Sequence, residues 1–367
     1  MYDQQSPSQP QLLKKKRDRS RSASAEKKIA SAFRNASILS DNGIDALSVI
    51  EPNIDVLDIP ESASRRKLEL RLLHNYVVNI CHTFPACHNN DVVHSYTVEA
   101  PQLALEYDNL LYGILSISTR HLLQANPHDS ELIAARTRYH GLAMREQRKA
   151  VAELKAENAD PLCFASVLIL IDAFASLQER VIEPYTPPMN WLQMARGAGS
   201  VFDAGFKACV DHKASKVWVL VKAEPFLYDI DLLFSDSNRD RFSWLLRPSS
   251  EETWDDETRI AYEKAVAYIG SIQLSVENEE HLLAVGRRLM AFALIIPNKF
   301  IRFVEEMRPR ALVILSHYFA FAIRLEGMWW MGGCARREIG AIKKAVSYEW
   351  QMLMVGPLSA VGLKPEP

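Results

Sequence analysis

The chain has 367 residues, of which 48% are hydrophobic and 24% charged, so it is long enough to bury a large core. Its formal net charge of -2 excludes a molecule that binds nucleic acid through overall electrostatics. The five cysteines are odd in number and scattered, which argues against a disulfide framework and indicates a reducing compartment. Residues 161–177, one of the most apolar stretches, are too few to span a membrane. We therefore expect a soluble intracellular protein without a membrane span.

Residues 1–64 are rich in Ser, Gln, Asp and Pro and show little periodicity, so we predict a disordered arm. One basic cluster lies in this arm; it consists of Lys14, Lys15, Lys16, Arg17, Arg19 and Arg21. Two interpretations stay open. The cluster is either a solvated charge run without function, or a nuclear-import signal or phosphate-contacting arm.

From Arg65 onward the sequence predicts helices almost throughout. Leu68, Leu72, Tyr76 and Ile80 recur at every fourth position and predict an amphipathic opening helix. Further helices are predicted over 101–124, 131–155, 160–177, 190–206, 255–274, 280–294, 297–307 and 309–327, with a polar loop at 234–240. No segment shows the period-two alternation of a strand with turn signals at both ends. The prediction is an all-α fold: a single multi-helix domain over 65–355, with roughly ten to twelve helices around two buried ones, followed by a tail over 356–367.

Two short stretches resemble metal sites and are assigned other roles. The first, residues 81–94, holds two Cys, three His and an Asp, but its cysteines are six positions apart and lack the usual zinc spacing. The second, around Asp255 and Asp256, resembles the magnesium motif of all-α terpenoid enzymes, but the required third carboxylate is replaced by Arg259. We interpret these two aspartates as acids of a helix first turn.

Residues 197–200 read Gly-Ala-Gly-Ser and lack the lysine of a phosphate-binding loop, so we expect them to permit close helix packing. The sequence has no nucleophile motif of the Gly-x-Ser-x-Gly type. We therefore predict that the chain is not an enzyme and that it has no catalytic residues, no metal ligands and no cofactor of its own.

Three stretches taken together resemble the regulatory domain of fungal binuclear zinc-cluster transcription factors, in particular the branch of the sterol uptake control protein. They are LELRLLHNYVVNICHTF at 68–84, LALEYDNLLYGILSISTRHLL at 103–123, and the segment over 308–342 with its tryptophan pair and glycine turn. Tyr139, His140 and Ala143 fit the family's Tyr-His-x-x-Ala element. The resemblance covers about residues 65–355 and implies an all-α regulatory domain.

Members of this family normally carry six cysteines that bind two zinc ions and present the metal cluster to DNA. The first cysteine of this sequence is Cys81, so the sequence does not contain that cluster. The basic stretch at 14–28 resembles the linker that usually follows it. Two explanations stay open: a truncated gene model, or a regulator without its own zinc-cluster reader. Zinc is expected only with a missing N-terminal cluster, and DNA contact only through a missing domain or a partner.

The resemblance to the sterol branch implies a helical pocket for a hydrophobic ligand. Eight apolar residues in the matching helices are candidate wall residues: Phe174, Leu177, Phe319, Phe321, Met328, Trp329, Trp330 and Met331. The alternative is that these residues are core, since aromatic and methionine stripes at helical spacing are usually core.

The same region contains a bulky tryptophan pair beside a glycine pair. Gly332 and Gly333 can adopt backbone conformations closed to other residues, so we predict a hinge between the preceding helix and the next one. Arg336 and Arg337 open that next helix, where cations are unfavourable, and this predicts partners in a neighbouring acidic segment or a solvent-facing turn.

The sequence therefore supports a nuclear transcription regulator for RNA polymerase II genes that responds to a sterol or other hydrophobic metabolite. We expect it to shuttle between cytoplasm and nucleus and to act as a homodimer or with a co-regulator. The alternatives are a metabolite- or lipid-binding helical protein that does not bind DNA, and an all-α terpenoid-type enzyme.

Overall fold

The computed structural model describes residues 61–249 and 252–366, and these residues form helices, turns and loops without a strand. The predicted all-α class is confirmed. The predicted disordered arm lies outside the described residues except for positions 61–64, and the whole basic cluster at 14–21 lies outside them.

The described helices follow the predicted order. In the first half they are α1 (Ala63–Asn75), α2 (Asn90–His94), α3 (Ala100–Ala104), α4 (Asp108–Ala125), α5 (Ser130–Ala152), α6 (Ala159–Ala175) and α7 (Met189–Ala208). In the second half they are α8 (Trp218–Lys222), α9 (Ile230–Leu233), α10 (Asp236–Asp240), α11 (Asp256–Glu277), α12 (Leu282–Ile295), α13 (Asn298–Glu305), α14 (Pro309–Ala322), α15 (Cys334–Ala345), α16 (Tyr348–Met352) and α17 (Val355–Ala360).

The opening helix buries the predicted stripe, because Leu68, Leu72, Tyr76 and Ile80 are 8% exposed or less. After Asn75 the helix widens into a π-helical segment, Tyr76–Ile80, and then tightens into a 3-10 turn, Cys81–Thr83. A π segment inserts one residue into the helical register. Cys81, one position past the apolar stripe in the sequence, is consequently fully buried.

The predicted single helix over 101–124 is two helices. Residues 105–107 break the run, and α3 continues backward through a second π segment, Ser95–Glu99, into α2. Pro101 stands at the start of α3, directly after that segment. Because proline has no backbone N–H, an α-helical ladder cannot continue normally through it, and a π-bulge accommodates the interruption.

Helix α6 is the central helix, with α4 and α7 packed against it. It is almost entirely buried, as its uniformly apolar sequence predicts. With its flanking 3-10 turns the helical run Ala156–Gln178 has 23 residues, longer than the apolar stretch alone. By length and composition this run could cross a membrane, but 78% of its apolar window is buried inside the protein, as in the core helix of a soluble protein.

The predicted polar loop at 234–240 is wrong in part, because α10 occupies Asp236–Asp240. Asn238 in this helix is 2% exposed, and its main chain lies directly against Gly270 of α11. Any Cβ atom at Gly270 would overlap the Asn238 carbonyl. The polar sequence of this segment therefore forms a packed helix. It fits there because Gly270 of α11 has no side chain.

Candidate functional site

The tryptophan–glycine turn, residues 326–333, joins α14 to α15 and is the centre of the candidate site. Gly332 has a φ of +50°, the left-handed conformation that lets a helix end and the chain reverse. A Cβ atom at Gly332 would also overlap Gln178 Oε1. Gly333 has a φ of -81° and nothing within 4 Å of a Cβ position. The geometry of the turn therefore requires glycine at 332 and not at 333.

The two tryptophans of the turn donate hydrogen bonds to the same residue, Thr83, at the end of the opening helical run. Trp329 Nε1 donates to Thr83 Oγ1 at 2.8 Å, and Trp330 Nε1 donates to the Thr83 carbonyl at 2.9 Å. Trp330 is fully buried, whereas Trp329 is half-buried and meets the ring of His121 edge-on at 5.3 Å. The adjacent indoles thus point in different directions and still fix the turn to one point of the N-terminal helices.

The main chain of the turn is also held by the loop that follows α6. The Trp329 carbonyl accepts hydrogen bonds from Gln124 Nε2 and from Gln178 Nε2, the latter at 2.9 Å. In return, Arg337 of α15 donates to the main-chain carbonyls of Gln178 and Arg180. The turn therefore contacts the opening run, α4 and the loop after α6 at once.

Arg336 and Arg337 stand in the first turn of α15, as predicted from the sequence. Arg336 pairs with Glu326 at 2.7 Å, so the acidic partner comes from the turn itself. Further along α15, Glu338 is buried and pairs with Arg180. Burial raises the pKa of the Glu338 carboxyl, and the adjacent Arg180 opposes that shift.

An aromatic cluster lies beneath the turn. The ring of Phe174 is 6.0 Å from Trp330 and 5.3 Å from Trp191, and Trp191 is 6.2 Å from Phe319. All four side chains are 1% exposed or less. Such edge-on and tilted ring contacts add specific stabilisation to the burial of apolar area.

The predicted wall residues differ in their burial and do not all meet at this cluster, since the ring contact of Phe321 is with Phe242. Those buried in the core are Phe174, Leu177, Phe319, Trp330 and Met331, and those packed at its margin and partly buried are Phe321, Met328 and Trp329. As the structure stands, the first group packs as core. In the second group, Met328 and Trp329 belong to the turn itself, and Phe321 lies on α14.

Sequence reasoning missed a buried ionic cluster one turn before the end of α6. Asp172 accepts from Arg120 Nε at 2.7 Å and from Arg136 at 2.7 Å, and His140 lies 3.5 Å away. The two arginines hold the pKa of the Asp172 carboxyl far below its usual range, against the opposing effect of burial. The sequence does contain a sign of this cluster, namely an aspartate inside an otherwise apolar helix. A buried charge needs charged or hydrogen-bonding partners, so this residue predicts them.

Residues 81–94 do not gather into a metal site. Cys81 Sγ donates to the carbonyls of Tyr76 and Tyr96, Cys87 Sγ donates to the carbonyl of Cys81, and burial raises the pKa of Cys87 to about 12. His88 is exposed and stacks on His281. Across residues 61–249 and 252–366 no group of three or more His, Cys, Asp or Glu side chains is placed to hold a metal ion.

The other two stretches behave as interpreted. Asp255 is the N-cap of α11, accepts from the Thr258 N–H at 2.7 Å and pairs with Lys299, while Asp256 pairs with Arg259. Gly199 lies against the side chain of Leu294 on α12, so the small residues of α7 do serve close helix packing.

Comparison with known proteins gives the following matches. The family model described as fungal specific transcription factor domain matches residues 71–185. The Zn(2)-C6 fungal-type transcription factor afumD of Aspergillus fumigatus is 34% identical over 255 residues, which are 69% of this chain and 66% of that protein. A Zn(2)-C6 fungal-type transcription factor of Gibberella zeae is 26% identical over 292 residues, 75% of this chain and 57% of that protein.

A more distant match is the sterol uptake control protein 2 of Candida albicans, 22% identical over 305 residues, 75% of this chain and 40% of that protein. The chain thus spans two thirds of the length of these curated relatives or less. The family match at 71–185 includes Thr83, the Asp172 cluster and the loop after α6, and the longer alignments extend well beyond it.

Proposed function

The chain belongs to the family of Zn(2)-C6 fungal-type transcription factors, and from this premise we propose that its helices form the regulatory domain of a transcription regulator that senses a hydrophobic small molecule. The observation that carries the proposal is the tryptophan–glycine turn, which contacts three separate parts of the domain and covers an aromatic cluster. The relatives are transcription factors and not enzymes, which supports a regulatory rather than a catalytic role.

The chemistry of the cluster supports a hydrophobic ligand. The half-buried residues Phe321, Met328 and Trp329 lie at the margin of the core, and a ligand that replaced them there would bury its own apolar surface. One relative is named for sterol uptake control, and this makes a sterol the first ligand class to test.

The contacts of the turn suggest how ligand state would be passed on. A ligand that displaced Trp329 would break its hydrogen bond to Thr83 and disturb the carbonyl that accepts from Gln178. Gln178 is linked in turn to α15 through Arg337. Ligand binding would thereby change the relation between the opening run and the C-terminal helices, and a partner or a second copy of the chain would read that change.

The ligand proposal is tested by thermal unfolding of the purified chain with a panel of sterols and other lipids. A ligand that binds only the folded state raises the melting temperature by mass action. We expect a shift for the native chain and a larger one for Trp329→Ala, because the variant has no indole and no hydrogen bond to Thr83 for the ligand to displace. The matched control is Trp218→Ala, which alters another partly buried tryptophan whose ring stacks on Phe206 of α7. Equal shifts in both variants, or no shift with any lipid, would contradict the proposal.

In this proposal DNA is contacted by a zinc cluster outside the present sequence or by a partner, and the protein acts in the nucleus as a homodimer or with a co-regulator. Replacing Lys14, Lys15, Lys16 and Arg17 by alanine should move a fluorescent fusion out of the nucleus. An unchanged distribution would remove the basic cluster from the proposal, and movement between compartments on lipid addition would support shuttling.

The competing function is a lipid- or metabolite-binding protein without a transcriptional role. The observation that favours it is the aromatic cluster beneath the turn, since burying the apolar surface of a ligand there does not require a transcriptional partner. The two functions are distinguished by fusing the chain to an unrelated DNA-binding domain whose binding site lies upstream of a reporter gene. Reporter output that responds to the stabilising lipid supports a regulator, whereas binding without any reporter response supports the alternative.

A further inference from the structure

A surface groove of about 390 Å³ lies beside α15, between the loop after α6 and the segment that follows α17. Its volume is in the range of sites that hold small organic molecules. The lining residues include Arg336, Arg337, Lys343 and Lys344 of α15, with Ile182, Ala341 and Leu363 as apolar surface. From this combination we propose that the groove binds a small organic acid, through its carboxylate and a short apolar body.

The cations of the groove share one face of α15. Positions 336 and 343, like 337 and 344, are seven residues apart, which is two turns of an α-helix. This arrangement concentrates positive charge on one side of a helix whose remaining surface, including Ile342, is buried in the core. The repeat therefore presents a cationic strip to the groove.

The carboxylates that now face these cations are exposed and replaceable. Lys344 pairs with Glu183, and both side chains are more than two thirds exposed. An ion pair between two side chains this exposed contributes little to stability, because water and salt screen it. A ligand carboxylate that enters the groove can therefore exchange with Glu183 at little cost.

Two further cations distinguish the groove from an ordinary surface patch. The side chain of Lys343 is 8% exposed, yet the side chain of its carboxylate partner, Glu366, is 75% exposed and lies in the segment after α17. The guanidinium of Arg337 donates to the main-chain carbonyls of Gln178 and Arg180, which are neutral acceptors. A hydrogen bond from Arg337 to a ligand carboxylate would be stronger than its present contacts with neutral carbonyls, and Lys343 would exchange one exposed carboxylate for another.

The apolar surface of the groove favours an organic acid over an inorganic anion. Ile182 and Leu363 stand on opposite segments of the groove, and Leu363 lies 3.9 Å from the Cβ position of Gly340. A bare inorganic anion would leave this surface in water, whereas an acid with a short alkyl body would cover it. The site is separate from the aromatic cluster under the turn, so it does not depend on the sterol proposal.

The test is calorimetric titration of the full chain with octanoate, octanol and inorganic phosphate, at concentrations below octanoate micelle formation. Octanoate should bind saturably, and octanol and phosphate at least ten-fold more weakly. Lys344→Gln and Arg337→Gln should each weaken octanoate binding five-fold or more. The matched control, Arg302→Gln, removes an exposed cation of α13 and should leave binding unchanged.

Each other outcome overturns the assignment. Phosphate binding as tight as octanoate would mean an anion site without an apolar component, and octanol binding as tight as octanoate would mean an apolar site without a role for the cations. Absence of saturable binding would remove the site. Because Arg337→Gln also loses two contacts to main-chain carbonyls, its melting temperature is measured in parallel, and Lys344→Gln, which alters an exposed pair, keeps the test decisive.

Discussion

The Asp172 cluster and the tryptophan–glycine turn both place polar groups against the core, but they hold them in different ways. Asp172 is buried and bridges two arginines with charged hydrogen bonds from α4 and α5. The turn is held by neutral hydrogen bonds to Thr83 and to the Trp329 carbonyl, and its ion pair, Arg336 with Glu326, is exposed. Substitutions in the Asp172 cluster should therefore lower the unfolding free energy more than substitutions in the turn. A domain that responds to a ligand needs a part of each kind.

The largest expected effect is at the buried cluster. Asp172→Ala leaves Arg120 and Arg136 buried without their shared carboxylate, and breaking a buried pair in this way costs about 3–5 kcal/mol of unfolding free energy. Glu179→Ala is the matched control, because Glu179 also pairs with Arg120 but is 66% exposed, so it should cost less than about 1 kcal/mol. If urea unfolding shows similar losses of unfolding free energy for Asp172→Ala and Glu179→Ala, burial does not make the Asp172 cluster more important for stability than an exposed ion pair.

The second effect is a pH dependence at His317 of α14, the helix that leads to the turn. Burial lowers the pKa of His317 to about 4 from an ordinary 6.5, and the hydrogen bond to the Leu353 carbonyl opposes that shift. Above pH 6.5 the imidazole is neutral in both the folded and the unfolded chain, so its titration does not lower the unfolding free energy. As the pH falls from 6.5 to 4, the unfolded chain binds a proton that the folded chain does not, so stability is lost, by up to about 3 kcal/mol.

His317→Gln removes this titration and keeps a side chain able to reach the Leu353 carbonyl. Comparing unfolding free energies of the native chain and the variant at pH 7.5 and pH 4.5 isolates His317 from other histidines, such as the half-exposed His140, whose pKa desolvation also lowers. The loss on acidification should be smaller in the variant. An identical loss in both proteins would show that His317 does not contribute.

The third effect compares the two glycines of the turn. Gly332→Ala forces a side chain into a left-handed conformation, which costs about 1–2 kcal/mol, and brings it against Gln178. Gly333→Ala meets open space at an ordinary φ and should change the melting temperature little. If both variants are equally stable, the backbone at position 332 can move out of the left-handed conformation without loss of stability.

The smallest effect is the hydrogen bond between Trp329 and Thr83. Trp329→Phe removes the indole donor, which should cost about 1 kcal/mol. Because Thr83 Oγ1 also donates to the Ile80 carbonyl, a double-mutant cycle with Thr83→Val is needed to isolate the pair. A coupling energy of about 0.5–1.5 kcal/mol is expected, and strictly additive effects would mean that the bond contributes nothing to stability.

Local pattern predicted most helices within a few residues. The stripe from Leu68 to Ile80 and the uniformly apolar run of α6 are periodic signals, and Pro309 marks the start of α14 as expected. The π segment before Cys81 and the packed helix at Asp236–Asp240 were not predicted, because one depends on an inserted residue and the other on room provided by Gly270.

By itself the sequence determined the all-α class, the family and the position of a sharp turn at the glycine pair, because spacing and residue type encode local conformation. Only the tertiary structure decided which partners those residues meet. Trp329 bonds a threonine 246 positions away, and Asp172 is paired with arginines 52 and 36 positions away. Such contacts leave no periodic trace in the chain, since they arise from how helices pack and not from how each one forms.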